Sequence, residues 1–298
     1  MNDRDIRRMS STINSARDQW EAAAPVPAIP EGKQVLIAIR DLHKGFGNRH
    51  VLRGVGFDIY RGETLAIIGG SGSGKTTLIR HLMGMLKPDH GSVRVALDDG
   101  KALDLGRADE EGLAAWRRKL GVVFQSAALL GSLTVLENVG LPLVEVDRLP
   151  ADEVRARVVA ALLKVYLPAE EILQLKPANL SGGMRKRVGI ARAIIQDPSV
   201  ILYDEPTTGL DPVTVNGVNE LTIDLQKRTG VTSVVITHDL VAAFHIADRI
   251  AMLYKGRIIA LGDEAAIRAN QNPVLQQLLT GSTTGPLTDD MLLGQTTP

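Results

Sequence analysis

The pattern of hydrophobic and polar positions predicts strands that alternate with helices. Short apolar runs predict strands at 35–39, 64–68, 199–203, 233–237, 250–254 and 257–260. The continuous apolar run at 64–68 is typical of a strand that is covered on both faces of a parallel sheet. The last two runs are separated by Lys255-Gly256, so we expect them to form a hairpin.

Helical periodicity occupies the stretches between these strands. Within 151–165 the apolar residues recur at helical spacing and the charged residues lie off that stripe. The apolar positions are Val154, Val158, Ala161, Leu162 and Val165. Strands alternating with helices predict an α/β fold with a largely parallel sheet. The stretch from about 126 to 195 is mainly helical, and we expect it to be an insertion between sheet elements.

The two ends of the chain differ in composition from the middle. Residues 1–33 are predicted to form a flexible extension, because Pro25, Pro27 and Pro30 disfavour a helix and indicate a linker. Residues 271–298 are polar, so we expect a tail that is partly extended. These boundaries leave 34–270 as the functional domain.

Composition limits the chemistry and the partners. The 298 residues include no cysteine, which excludes disulfides, thiolate metal sites and a cysteine nucleophile. Lys and Arg together number 34, as do Asp and Glu, so we expect no direct binding of nucleic acid. No apolar run approaches the ~20 residues that span a bilayer, and residues 1–19 lack the apolar stretch of a signal peptide. We therefore expect a cytoplasmic protein that reaches a membrane only through a partner.

A glycine-rich loop carries the strongest chemical signal. The sequence GGSGSGKT at 69–76 directly follows the strand predicted at 64–68. Glycines let successive backbone N–H groups point at an anion, and a helix that begins near Lys75 adds the positive end of its dipole. Lys75 supplies a full charge to terminal phosphates, and the Thr76 hydroxyl can ligate Mg²⁺. A dinucleotide-binding loop is not supported, because no G-x-G-x-x-G/A fingerprint opens the following helix.

Two adjacent carboxylates follow another predicted strand. The run at 200–203 ends in Asp204 and Glu205. Asp204 suits a Mg²⁺-linked role, and Glu205 can polarise an attacking water as a general base. A merely acidic turn is the alternative, which the presence of a phosphate-binding loop disfavours.

A second glycine pair lies at 181–183. Ser181 is a plausible cap for the helix that would follow, and Gly182 and Gly183 allow a tight turn. Alternatively, this is a second anion-binding helix N-terminus, offered to a nucleotide held by another subunit. The residues alone leave both interpretations open.

In order and spacing, these segments resemble the nucleotide-binding domain of ABC transporters over about residues 35–265. The resemblance implies a P-loop NTPase (RecA-like) core with a mostly parallel sheet, an antiparallel β portion and an inserted helical subdomain at about 126–195. It implies ATP and Mg²⁺ as cofactors and ATP hydrolysis as the activity. It also implies a second ATP-binding subunit, as in a homodimer, and a separate transmembrane permease.

The resemblance assigns roles residue by residue. Glu205 is implied as the general base, His238 as a contact to the γ-phosphate, and Gln125 as the sensor of the γ-phosphate and Mg²⁺. The implied metal set is Thr76, Gln125 and Asp204. The implied nucleotide contacts are Phe46 on the adenine, Gly70, Ser71, Gly72, Ser73, Gly74, Lys75, Thr76 and Thr77 on the phosphates, and Ser181, Gly182, Gly183 and Asp211 across the dimer.

One departure from the family pattern narrows the resemblance. The last position of the signature is usually Gln and is Met184 here. The same variation is familiar in ATPases of Mla-type systems, which move phospholipids with MCE-domain partners. The basic run 185–187 and the tail segment 272–281 point the same way. The resemblance thus implies a phospholipid transporter subunit on the cytoplasmic side of the inner membrane, bound there through its permease.

Three other functions remain open at this point. One is an ABC importer for amino acids or other small solutes. Another is a non-transport ABC ATPase that acts on ribosomes or DNA, although this chain has neither tandem ATPase domains nor a sustained heptad run. A nucleotide-binding regulator without hydrolysis is the third, and the intact Asp204, Glu205 and His238 argue against it.

Overall fold

The computed structural model describes residues 22–97 and 100–288. Residues 1–21 of the predicted extension and 289–298 of the predicted tail lie outside that part. The strands are β1 Val35–Phe46, β2 Arg49–Tyr60, β3 Thr64–Ile68, β4 His90–Ala96, β5 Ala102–Asp104, β6 Leu120–Val123, β7 Val200–Asp204, β8 Thr232–Thr237, β9 Arg249–Tyr254 and β10 Arg257–Gly262.

Helices fill the intervals between the strands, as the periodicity predicted. Within the described residues they are α1 Lys75–Leu82, α2 Glu110–Arg117, α3 Val135–Glu145, α4 Ala151–Lys164, α5 Ala169–Ile172, α6 Gly182–Ile194, α7 Pro212–Thr229, α8 Leu240–Ile246, α9 Glu264–Ala269 and α10 Pro273–Thr280. A 3₁₀ turn at Pro177–Asn179 leads into α6.

A six-stranded, mostly parallel sheet forms the centre of the fold. Its strand order is β10-β9-β3-β8-β7-β6, and every pair is parallel except the β9–β10 hairpin. All five residues of β3 are buried, which confirms the interpretation of its continuous apolar run. Lys255 and Gly256 both have positive φ at the hairpin turn, as the turn chemistry requires.

A second sheet is antiparallel and has the order β2-β1-β4-β5. The structure extends β1 to Phe46, seven residues beyond the apolar run that predicted it. Polar side chains occupy most of the added length, and its ladder is interrupted by register shifts between Ile39 and Leu42. An apolar pattern cannot detect a strand segment of this kind, because that segment buries little of its surface.

Hydrophobic clusters connect the parallel sheet to the antiparallel sheet and to the predicted helical insertion. One lies between the two sheets and α1, where Phe57, Ile67 and Trp116 are completely buried. The other joins the predicted helical insertion to the parallel sheet through residues such as Val139 and Val188. The insertion is therefore held to the sheet by a continuous core.

The segment after 270 was predicted to be a partly extended tail, and part of it is helical instead. Asn272 caps α10 by accepting a hydrogen bond from the backbone N–H of Val274, and Gly281 ends the helix in the left-handed conformation. Val274 and Leu275 are buried in one hydrophobic cluster with Ile68 of β3 and Met252 of β9, so they pack against the parallel sheet. The polar residues around them concealed this short apolar contact in the sequence.

Across residues 22–97 and 100–288, no helix has the length and apolar character that crossing a membrane requires.

Candidate functional site

The glycine-rich loop joins β3 to α1, and it leaves the backbone N–H groups of the first turn of α1 without a capping side chain. Gly74 is the helix N-cap, at φ 111°, and no side chain caps the first turn. A Cβ at this position would lie 2.8 Å from Leu52 Cδ2, and side chains rarely adopt this positive φ, so glycine is strongly favoured. The uncapped N–H groups and the helix dipole together favour an anion at this point.

Lys75 brings a cation to the same place. Its Nζ donates hydrogen bonds to the carbonyl oxygens of Gly69, at 2.6 Å, and Gly70, at 3.1 Å. Burial lowers the pKa of Lys75, whereas the negative charges of Glu205 and Asp204 oppose that shift. The ammonium is thus partly desolvated, which strengthens its attraction to any phosphate that enters.

Asp204 and Glu205 lie at the end of β7, opposite the loop. Burial raises the pKa of Asp204, the adjacent Glu205 adds to the rise, and Lys75 opposes it. Glu205 has φ 49°, an uncommon conformation for a residue with a side chain. Its backbone N–H donates to the Ile236 carbonyl oxygen at 2.9 Å, which holds this turn against β8.

Glu205 is paired with His238. Nδ1 of His238 lies 2.7 Å from Oε2 of Glu205, whose side chain is only 15% exposed. His238 follows β8, and Glu205 follows the neighbouring strand β7, so the parallel sheet brings them together. A carboxylate held by an imidazole at the edge of a phosphate site can orient a water molecule.

These groups line one cleft of about 560 Å³. Gln125, which follows β6, is also part of its wall. The lining residues are Ser71, Gly72, Gly74, Lys75, Thr76, Thr77, Gln125, Asp204, Glu205, Thr208, Ile236 and His238. Most residues predicted for phosphate and metal binding therefore meet at the carboxyl ends of parallel strands.

Phe46 lies outside that lining, on the hairpin between β1 and β2. It is 49% exposed and pairs in register with Arg49. The Arg49 guanidinium lies 3.7 Å from the position that a Cβ on Gly72 would occupy. The hairpin that carries the exposed ring is thus a direct neighbour of the phosphate-binding loop.

Ser181, Gly182, Gly183 and Asp211 form a separate surface and do not line the cleft. Ser181 caps α6 by accepting a hydrogen bond from the backbone N–H of Met184. Asp211 caps α7, and a Cβ on Gly183 would lie 2.6 Å from Thr214 Cγ2 in that helix. The N-termini of α6 and α7 therefore pack side by side.

Two further residues of this region lie outside the set of site residues that the sequence predicted. Thr208 lines the cleft, and its Oγ1 lies 3.5 Å from Oε2 of Glu205. Lys186 is 94% buried in α6 and donates a hydrogen bond from Nζ to the backbone carbonyl oxygen of Gln125. The burial of Lys186 could have been predicted, because helical spacing places it on the same face of α6 as the buried Ile190 and Ala193.

The donor set fits a Mg²⁺-bound nucleoside triphosphate. Oxygen ligands for Mg²⁺ are available from Thr76, Gln125 and Asp204 around the cleft. Hydrogen-bond donors for phosphate oxygens come from the Lys75 ammonium and from the backbone N–H groups at the uncapped N-terminus of α1. The parallel sheet, the loop and this cleft together define a nucleotide hydrolase of the P-loop class.

Comparison with known proteins identifies the family. The family model described as "ABC transporter" matches residues 52–208. The chain belongs to this family, and it is an ATP-binding subunit that hydrolyses ATP with Mg²⁺.

Three similar proteins illustrate the range of the family. The intermembrane phospholipid transport system ATP-binding protein MlaF of Escherichia coli K12 is 37% identical over 252 residues, which cover 85% of this chain and 91% of MlaF. The methionine import ATP-binding protein MetN of Mesorhizobium japonicum is 38% identical over 258 residues, covering 86% and 68%. The dimeric post-hydrolysis structure of the ATP-binding cassette MJ0796, bound to ADP and Pi, is 34% identical with a TM-score of 0.68, covering 76% and 98%.

Proposed function

We propose that the chain works as a pair, in which each ATP is held between the cleft of one subunit and the Ser181–Gly183 surface of the other. The observation that carries this proposal is the separation of the two surfaces within one chain. A second helix N-terminus that suits phosphate and lies outside the cleft fits a nucleotide that is held by another subunit. A solved relative at 34% identity is described as dimeric, which supports the same arrangement.

The residues of the cleft then have distinct roles. Lys75 and the first turn of α1 bind phosphate oxygens, and Phe46 stacks on the adenine. Gln125, Thr76 and Asp204 would hold Mg²⁺, which would screen the charge of the phosphates when bound. Glu205 orients and activates the attacking water. His238 fixes the Glu205 carboxylate and itself contacts the γ-phosphate.

A groove beside the cleft suits a segment of a membrane permease. Its volume is about 440 Å³, and it runs along Met85, Phe124 and Leu130, all of which are exposed apolar side chains. Phe124 directly precedes Gln125, so a segment in the groove would sense the state of the cleft. Through such a permease the subunit would work on the cytoplasmic side of the inner membrane.

Phospholipid is the substrate class that we favour for the assembled transporter, with an MCE-domain protein as an additional partner. Support comes from Met184 in the signature and from a similar protein named for intermembrane phospholipid transport. A methionine importer subunit reaches the same level of identity, so import of a small solute is the second candidate.

Affinity capture of the tagged full chain from membranes, followed by mass spectrometry, separates these two candidate substrate classes. Co-purification of a permease with an MCE-domain protein supports the first, and a permease with a solute-binding protein contradicts it.

The pairing itself is tested by Glu205→Gln. This change removes the base but keeps the shape, so we expect ATP to bind while turnover falls by ~10²-fold or more. In analytical ultracentrifugation the variant should form an ATP-dependent dimer, and Glu205→Gln combined with Ser181→Arg should remain monomeric because the arginine blocks the second surface. A dimer that persists in the double variant, or a monomer in Glu205→Gln with ATP, would refute the shared site.

A further inference from the structure

Three potential metal ligands meet on the antiparallel sheet, at a place with no role in the proposed hydrolysis. They are Asp41 and His43 of β1 and His90 at the start of β4. Nε2 of His43 lies 2.9 Å from Oδ1 of Asp41, and Nδ1 of His90 lies 3.2 Å from its Oδ2. One ligand atom from each residue lies within 4.8 Å of the other two. A single ion could therefore contact all three.

The backbone around this cluster is irregular in a way that brings the ligands together. β1 is bulged between Arg40 and His43 relative to β4, and Asp41 has φ 46°. Gly91, at φ 85°, permits the close approach of β4, because a Cβ there would lie 2.0 Å from the Asp41 carbonyl oxygen. This approach places His90 beside Asp41.

A further glycine keeps the ligand atoms accessible. Gly54 of β2 has φ 86°, and a Cβ there would lie 3.1 Å from Oδ1 of Asp41 and 3.4 Å from Nε2 of His43. With glycine in this position, no side chain of residue 54 crowds these two ligand atoms. The side chains of His43 and His90 are 42% and 73% exposed, so solvent and ions can reach them.

We propose that Asp41, His43 and His90 form a binding site for a borderline divalent metal ion of the Zn²⁺ type. Two imidazoles and one carboxylate are a ligand set that suits Zn²⁺, whereas Mg²⁺ prefers oxygen ligands only. The site is thus chemically distinct from the Mg²⁺ site in the nucleotide cleft. The absence of cysteine means that no thiolate competes for the ion within this chain.

The bound ion would connect β1 to β4 close to the predicted adenine contact. His43 lies three residues before Phe46 in the same strand. Next to His90, Asp89 already accepts hydrogen bonds from the Lys44 ammonium and the Gly45 backbone N–H. A metal at the cluster would add a stronger link between the same two segments, and it would steady the strand end that carries Phe46.

Zinc titration of the full chain tests this site. Isothermal calorimetry with Zn²⁺ alone, without nucleotide, should show one site that weakens at least about tenfold in His43→Ala, His90→Ala and Asp41→Asn. Asn tolerates the positive φ of position 41, so Asp41→Asn removes the charge without straining the backbone. His50→Ala and His245→Ala, which change exposed histidines outside the cluster, should bind Zn²⁺ like the parent chain.

A second readout separates loss of the site from loss of the fold. Zn²⁺ should raise the Tm of the parent and of His50→Ala, but not that of Asp41→Asn. The proposal is wrong if the parent chain binds no Zn²⁺, or if the three cluster variants bind it as tightly as the parent. It is equally wrong if His50→Ala or His245→Ala removes the binding. None of these results depends on the proposed ATP site, which is measured separately by turnover.

Discussion

Lys186 shows how a single buried charge can support the proposed reaction without touching the substrate. Its ammonium is withdrawn from water in α6, and burial lowers its pKa while the charge of Glu205 opposes the shift. The hydrogen bond to the Gln125 carbonyl oxygen satisfies this buried donor. Lys186 therefore connects α6 to the segment that carries Gln125, and we expect it to hold Gln125 in position.

We expect Lys186→Met to lower kcat for ATP hydrolysis by about tenfold or more while the Kd for ATP changes less than about twofold. The methionine keeps the apolar stem but removes the donor, so Gln125 loses its fixed position and small displacements in a reaction centre are costly. Lys186→Gln, which retains a donor, should recover part of kcat. The exposed Lys227→Met serves as the control. Steady-state kinetics and nucleotide titration measure both constants, and an unchanged kcat in Lys186→Met would contradict the positioning role.

At the scale of the element, the N-terminus of α6 is compatible with both interpretations of Ser181. The hydroxyl oxygen accepts the hydrogen bond that caps the helix. A hydroxyl has a donor as well as acceptor lone pairs. Capping therefore leaves the hydroxyl proton available as a donor, as the proposed contact with a phosphate in a partner subunit requires.

Ser181→Gly and Ser181→Ala distinguish capping from catalysis. Loss of the cap should cost ~1 kcal/mol of stability in Ser181→Ala but only a few tenths in Ser181→Gly, since glycine is itself tolerated at an N-cap. Both variants lack the hydroxyl, so we expect both to lose ATP turnover by a similar factor, at least about tenfold. Urea unfolding and phosphate release measure the two effects. If the Ser181→Gly variant instead hydrolyses ATP at nearly the parent rate, and only the less stable Ser181→Ala variant is slowed, then Ser181 acts only as a helix cap.

At the scale of the whole molecule, α10 is part of the packed core. Leu275 is completely buried, in one cluster with Ile259 and Ile267. The buried Gln277 extends this contact, because its Oε1 accepts from the backbone N–H of Leu287 and its Nε2 donates to Oγ1 of Thr288. Apolar packing thus fixes α10 to the sheet, and the hydrogen bonds of Gln277 hold the chain around residues 287–288 onto α10.

We expect Leu275→Ala to lower the free energy of unfolding by ~2–5 kcal/mol, since truncating a buried leucine removes apolar contacts and leaves a cavity. Val241→Ala, at a position that is 80% exposed, should change it by less than about 0.5 kcal/mol. Urea denaturation monitored by circular dichroism gives both values. A Leu275→Ala variant as stable as Val241→Ala would show that α10 is not held to the sheet in solution.

The sequence alone determined the elements whose signal is local. Continuous apolar runs such as 64–68 located the central strands, because a strand buried on both faces needs apolar residues at every position. The phosphate-binding loop was equally clear, since its glycines and Lys75 meet requirements of backbone geometry and charge within eight consecutive residues. Glu205 became a candidate because it follows such a strand, whereas His238 became one only through the resemblance to a known family.

Only the tertiary structure decided which distant residues meet. The hydrogen bond from Lys186 to Gln125 spans 61 positions of the chain, and His90 reaches Asp41 through a bulge and Gly91. Helical spacing indicates that Lys186 is buried, but it does not reveal the partner of Lys186, and nothing in the pattern pairs His90 with Asp41. Each contact depends on the pairing of strands or the packing of a helix, which long-range burial fixes. The docking of α10 was hidden for the same reason: two buried side chains in a polar segment gain their stability from a surface that other parts of the chain build.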